Sequence, residues 1–154
     1  VILENGVEIN ESGGEDDSYV VAGAILSCSS GTQLNRLKLP SSHGVYVKDK
    51  PQMNVKDSVL NVNVMPFGRC FSPINPAVQA GEMDIEGVMK APCVPLLSSQ
   101  WTGGKENVLV EGAPALVNKC TLMCTLGGCI TIEDDGQELG GVSVASPAAN
   151  TGGI

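Results

Sequence analysis

The segment Val45-Tyr46-Val47-Lys48-Asp49-Lys50-Pro51 returns 63 residues later as Val108-Leu109-Val110-Glu111-Gly112-Ala113-Pro114. Two Val-x-Val runs, each closed by a proline, predict two equivalent hairpins and hence a fold with an internal pseudo-repeat. The rest of the chain offers no large core to override that pattern. Its 154 residues include two Phe, two Tyr and one Trp, against 19 Gly and 9 Pro. Val, Leu, Ala and Ile supply most of the apolar content, which favours many short strands joined by turns over long helices. A core this thin needs reinforcement, from a structural metal or from docking onto other chains.

Strand signals follow the turn residues. Residues 19–26 (Tyr-Val-Val-Ala-Gly-Ala-Ile-Leu) read as a first strand entering the turn Ser27-Cys28-Ser29-Ser30-Gly31, and 45–48 as a second, turned by Asp49-Lys50-Pro51. Residues 59–65 alternate valine with asparagine, the period-two mark of a strand with one buried face. Pro73 and Pro76 exclude an early long helix, leaving one short helix near residues 77–80. Further strands are expected at 108–110, with a mate near 115–117, and at 129–132 after the Gly127-Gly128 turn.

The net charge of −8 is unevenly spread. Six acids (Glu4, Glu8, Glu11, Glu15, Asp16, Asp17) precede Tyr19, four (Glu133, Asp134, Asp135, Glu138) follow Ile132, and all nine Lys and Arg lie between. The chain therefore divides into an acidic arm at 1–18, a nearly neutral body at 19–135 and a Gly/Ser/Ala-rich tail at 136–154, with both ends read as solvated. No basic run in the sequence argues for nucleic acid. No segment has the apolar length of a membrane-spanning helix, and no charged-then-apolar leader is present. Synthesis in a reducing compartment is the resulting expectation, where clustered cysteines are more often metal ligands than disulfides.

Six cysteines accompany a single histidine, and Cys28, Cys70, Cys93 and Cys124 each sit in a separate Gly/Pro/Ser-rich turn. That placement suits four ligands gathered by folding onto a tetrahedral zinc. No Cys-x-x-Cys knuckle is present, so spacing alone leaves an alternative open, in which all six are small buried hydrophobes. Cys120, Cys124 and Cys129 lie close in sequence but need not face one way on alternating strand positions.

A wider set of residues carries a resemblance. Val21-Ala22-Gly23-Ala24 with Cys28-Ser29, His43-Gly44-Val45-Tyr46-Val47 with Pro51, Phe67-Gly68-Arg69-Cys70 with Asn75-Pro76, Pro92-Cys93-Val94-Pro95, Trp101, Gly104-Lys105, Val108-Leu109-Val110, Pro114-Ala115-Leu116 and Met123-Cys124 occur in this order. Over roughly residues 19 to 135 the chain resembles the DUF4280 family of PAAR-like proteins. The resemblance implies a mostly β fold with little helix: a small PAAR-like cone of short β-hairpins with pseudo-threefold symmetry and a structural Zn2+ near the apex. It places Cys28 in the first turn, Cys70 after the first Val-x-Val unit and Cys124 before a Gly-Gly turn, with Cys93 completing the set. Cys120 and Cys129 fall outside the pattern and are assigned to packing, and His43 to a turn or surface position, because four thiolates suffice.

The function so implied is architectural. The chain would cap the trimeric central spike of a phage-tail-like contractile injection system, of the kind that includes type VI secretion, and help it pierce a target envelope. It would sit as one tip chain per spike trimer, be made in the bacterial cytoplasm, be incorporated into the particle and contact the target membrane transiently. An effector-loading adaptor that binds cargo is the alternative reading. A thiol- or zinc-dependent hydrolase is the remote one, since no base is evident beside the cysteines and the flanking Ser41-Ser42-His43-Gly44 does not suggest one. Gly103-Gly104-Lys105 lacks the phosphate-loop spacing, and Asp134-Asp135-Gly136 lacks the alternating oxygen ligands of a calcium loop.

Overall fold

The computed structural model describes residues 17–139, so the arms at 1–16 and 140–154 lie outside the described residues. Eleven short strands and one turn of helix follow one another: β1 (Ile25–Cys28), β2 (Asn35–Arg36), β3 (Tyr46–Val47), β4 (Lys50–Pro51), β5 (Arg69–Cys70), α1 (Pro76–Gln79), β6 (Glu82–Met83), β7 (Met89–Pro92), β8 (Lys105–Val110), β9 (Ala113–Ala115), β10 (Thr121–Cys124) and β11 (Gly128–Asp134). They pair antiparallel into a four-stranded sheet in the order β10-β11-β1-β2, a three-stranded sheet β5-β7-β6, and two separate hairpins, β3-β4 and β8-β9. The protein is mostly β with almost no helix, and no described helix is long and apolar enough to cross a membrane.

Both copies of the sequence repeat are hairpins in the same register. Tyr46 pairs with Pro51 and Val47 with Lys50; Leu109 pairs with Pro114 and Val110 with Ala113. The central residues Lys48 and Asp49, and Glu111 and Gly112, all have positive φ, as a two-residue type I′ turn demands. Gly112 adopts φ +84 without steric cost, whereas the left-handed Lys48 and Glu111 each cost on the order of 1 kcal/mol. The first turn therefore falls at Lys48-Asp49, not at the expected Asp49-Lys50-Pro51. Pro51 has no N–H to donate, but its carbonyl accepts from Ala22 N at 2.9 Å and so works within the strand.

Past each hairpin the chain enters a ring. Val20 N donates to Leu116 O, Leu116 N to Met53 O and Met53 N to Val20 O, each at 3.0 Å, a closed cycle of three backbone hydrogen bonds. A second cycle surrounds it: Ala22 N to Pro51 O (2.9 Å), Val55 N to Pro114 O (3.0 Å) and Asn118 N to Ser18 O (2.9 Å). Single antiparallel bridges, Val21 to Gln52, Asn54 to Ala115 and Tyr19 to Val117, link the same three segments in the same sense. Segments 18–22, 51–55 and 114–118 thus make equivalent contacts with one another, and the 63-residue spacing of the repeat separates the last two. Val20, Met53 and Leu116 are fully buried at the cycle's centre, each worth about 1.5–3 kcal/mol of apolar burial.

Several expected elements are corrected. The third segment of the ring is 18–22 alone, and the chain turns at Ala22-Gly23 before β1 begins at Ile25, so no continuous strand spans 19–26. Residues 59–65 are not a strand. Asn63 lies buried, accepting from Val59 N through Oδ1 and donating through Nδ2 to Lys38 O, while Val59 and Val62 face solvent. Asparagine side chains bonding to nearby backbone compete with strand pairing, and Asn61 at φ +65 completes the coil. The short helix forms within one residue of expectation because Asn75 caps it, accepting from Ala77 N at 3.0 Å, with Pro76 at its first position. Trp101 fills the main core and donates its indole N–H to Asp57 O at 2.9 Å.

Leu116→Ala should lower the unfolding free energy by about 2–5 kcal/mol, whereas Val62→Ala should stay within about 0.5 kcal/mol. Denaturant titration of the two variants checks both the ring and the reassignment of 59–65. Equal losses would mean that Val62 belongs to the core after all.

Candidate functional site

Four turns from different parts of the fold converge on one cavity. Cys28 ends β1, and Gly31 N folds back onto its carbonyl at 3.0 Å. Cys70 ends β5 and bridges to Gly31, while Phe71 N donates to Ser30 O at 2.9 Å, so the first two turns are tied together. Cys93 follows β7, held by its own N–H on Gly68 O at 2.9 Å. Cys124 ends β10, and Gly127 N donates to its carbonyl at 2.9 Å. All four side chains line a single cavity of about 10 Å³, close to the volume of one small sphere.

The approach depends on glycine at two places. A Cβ on Gly128 would stand 2.5 Å from Cys28 Sγ, and one on Gly127, already at φ +108, would stand 2.1 Å from Ser72 Oγ. The sulfurs also collect donors: Cys70 Sγ accepts from Ser72 N and Asn75 Nδ2, and Cys124 Sγ from Leu96 N, each at 3.4 Å. Burial pushes the Cys28 and Cys93 thiols up. Backbone hydrogen bonds at Ser30 and Phe67 respectively oppose that rise, and the neighbouring cysteines of the set add to it.

Four thiols are a donor set of the number and type that suits zinc. It does not yet form a coordination sphere, because among the described residues no three His, Cys, Asp or Glu side chains stand as a group that could hold a metal ion. The four thiols share one cavity without forming such a group. All six cysteines are free thiols. Cys120 lies elsewhere, buried in the main core with its Sγ accepting from Val117 N at 3.4 Å, and burial pushes its thiol up. Cys129 is half-buried between the buried Gly128 and Ile130 of β11, turned to the other face from the cavity.

His43 has a more specific place than a free turn. Its Nε2 lies 2.9 Å from Asp57 Oδ2 and its Nδ1 2.5 Å from Glu111 Oε1, joining the tip of hairpin β8-β9 to the turn at 54–57. Asp57 is itself buried and accepts from Asn54 N at 2.8 Å. A carboxylate at each nitrogen can accept from the doubly protonated ring and so favours the imidazolium. Burial lowers the His43 pKa, but the hydrogen bonds and charges of Glu111 and Asp57 outweigh it, so the net direction is upward. Sequence reasoning missed this trio because its members are 14 and 68 residues apart, without a motif.

A family model described as "Domain of unknown function (DUF4280)" matches residues 20–137, and the chain belongs to that family. No curated protein and no solved structure matches the chain.

The raised His43 pKa carries a sign. Stability from the imidazolium is fully present below the unfolded value of 6.5 and is lost as pH rises through the higher folded value. Denaturant unfolding between about pH 5.5 and pH 8.5 should show this decline in the native chain and a flatter profile in His43→Gln. Parallel profiles would show that the trio contributes nothing to stability.

Proposed function

We propose that the chain is a structural tip protein that caps the trimeric central spike of a phage-tail-like contractile injection system. The observation that carries this reading is the closed ring of three equivalent segments, 18–22, 51–55 and 114–118. A single chain whose main chain repeats around three positions can meet three identical subunits with three similar surfaces, which an unrepeated chain cannot. The end of a trimeric β-structure exposes unpaired strand edges, and short hairpins are suited to cover them. The ring agrees with a PAAR-like cone, and membership of the DUF4280 family is consistent with that resemblance.

In the same reading Cys28, Cys70, Cys93 and Cys124 would hold one structural Zn2+. Bound there, the ion would cross-link four turns and so replace core that this aromatic-poor chain lacks. The chain's own residues prepare for it through the N–H donors on Cys70 and Cys124 and the close approach that Gly128 permits Cys28. Such a part needs resistance to deformation and no turnover, and the proposal assigns the protein no enzymatic activity.

Protein purified without added metal should carry near-stoichiometric zinc by elemental analysis. Serine at Cys28, Cys70, Cys93 or Cys124 should remove most of it and lower the thermal midpoint by about 6 °C or more, the effect of ~2 kcal/mol in a domain of this size. Serine at Cys129 should leave zinc content unchanged. Uniform effects at all cysteines, or no zinc in the native protein, would end the ligand assignment.

Mixed with its spike, the full chain should form a one-to-three complex by native mass spectrometry. Residues 17–139 should suffice for it, because Ser18 closes the outer cycle and Gly136 and Leu139 bind Lys50. A three-to-three complex would contradict the cap.

A further inference from the structure

Four of the nine cations surround one pocket of about 590 Å³ on the flank of the ring. Arg36 and Lys38 come from the end of β2 and the residues after it, Lys48 and Lys50 from hairpin β3-β4 with the one lining carboxylate, Asp49, between them, and Leu39 and Pro51 contribute apolar wall. Volumes between about 300 and 1,000 Å³ suit a bound molecule and exceed what a stray water needs. The sequence shows no such cluster, since the two pairs are ten residues apart and meet only because β2 and hairpin β3-β4 both approach the 22–23 turn.

The pocket already handles peptide. Lys50 Nζ donates to the carbonyls of Gly136 (2.8 Å) and Leu139 (2.7 Å), and Lys48 pairs with the carboxylate of Glu138. The Arg36 guanidinium donates to Gly23 O at 3.2 Å, and neither Arg36 nor Lys38 pairs with a carboxylate among the described residues. Leu37 between them is buried, so both cations stand on the outward side of the chain, about 7 Å apart at strand spacing.

We propose that this pocket binds an acidic, partly apolar segment of a partner polypeptide in extended form. Carboxylates on alternate residues meet Arg36 and Lys38, and the apolar residues between them, which point the other way, pack towards Pro51 of hairpin β3-β4. Alternation of side chains along an extended peptide matches the spacing of the two cations. A compact phosphate is a poorer match, because it favours cations and N–H groups converging on one point, whereas these four are spread around a mostly apolar wall. The inference is independent of the zinc and of the cap, and stands or fails without them.

The test is fluorescence anisotropy of the full chain with a labelled peptide alternating leucine and glutamate. Saturable binding is expected, weakening with added salt. Arg36→Gln with Lys38→Gln should weaken it about tenfold or more, and Lys56→Gln, outside the pocket, should not change it. Lys38→Gln alone, at an exposed side chain, keeps the test valid if the double variant does not fold. Three results would overturn the proposal: equal binding of a leucine-glutamine peptide, displacement by inorganic pyrophosphate as readily as by unlabelled peptide, or binding seen only after Glu4, Glu8, Glu11 and Glu15 are changed to Gln. The last would show that the chain's own arm occupies the pocket in place of a partner.

Discussion

Three backbone hydrogen bonds, cycling through Val20, Leu116 and Met53, are what the rest of this structure depends on. Each joins segments dozens of residues apart, and none has a neighbouring ladder to support it beyond single bridges. The cycle is complete only when all three segments arrive. Its polar groups lie among fully buried side chains, where an unmade bond would cost on the order of 1–3 kcal/mol. The ring is therefore an all-or-none junction, and the hairpins before it and the strands after it inherit their positions from it.

The cavity of four cysteines is one such inheritance. Segment 18–22 leads directly into β1, which ends at Cys28, and segment 114–118 leads into β10, which ends at Cys124. Strand β11 lies between them, pairing Cys28 with Ile130 and Cys124 with Gly128, so two thiols reach the cavity from neighbouring sheet positions. The β5-β7 pair supplies Cys70 and the start of the Cys93 segment, and the Gly31 to Cys70 bridge docks it against the first turn. A metal held there would tie the two sheets together where the main core, through Phe67 and Ile130, meets the small cluster of Cys70, Val78 and Ala91. Junction and cavity each join segments distant in sequence.

How much of this could be read from the chain depends on the range of the interaction. The two hairpins were legible from the local Val-x-Val and proline signals, but not their bounds: the first turn falls at Lys48-Asp49, and the mate of β8 is Ala113–Ala115, not 115–117. The short helix was legible from the prolines that bar a longer one, and the structure adds the Asn75 cap that starts it. The set Cys28, Cys70, Cys93 and Cys124 came from separate turns and a family resemblance, and the structure brings these four to one cavity while leaving Cys120 and Cys129 away from it. The strand expected at 59–65 failed because alternation with asparagine looks like a half-buried strand, yet the neighbours Asn63 and Val64 are both buried while Val59 and Val62 are exposed. Side-chain bonds to nearby backbone won over the period-two pattern.

Residue chemistry alone thus determined the class of the protein: short strands, tight turns and two equivalent hairpins. Tertiary structure alone decided which pieces meet. The closure of the ring by 18–22, the clamp of His43 between Asp57 and Glu111, and the gathering of Arg36, Lys38, Lys48 and Lys50 around one pocket are all contacts between residues with no local relation. Propensity and periodicity act over a few residues, whereas these contacts exist only once the chain has been folded back on itself and the entropy of closing its long loops has been met by burial.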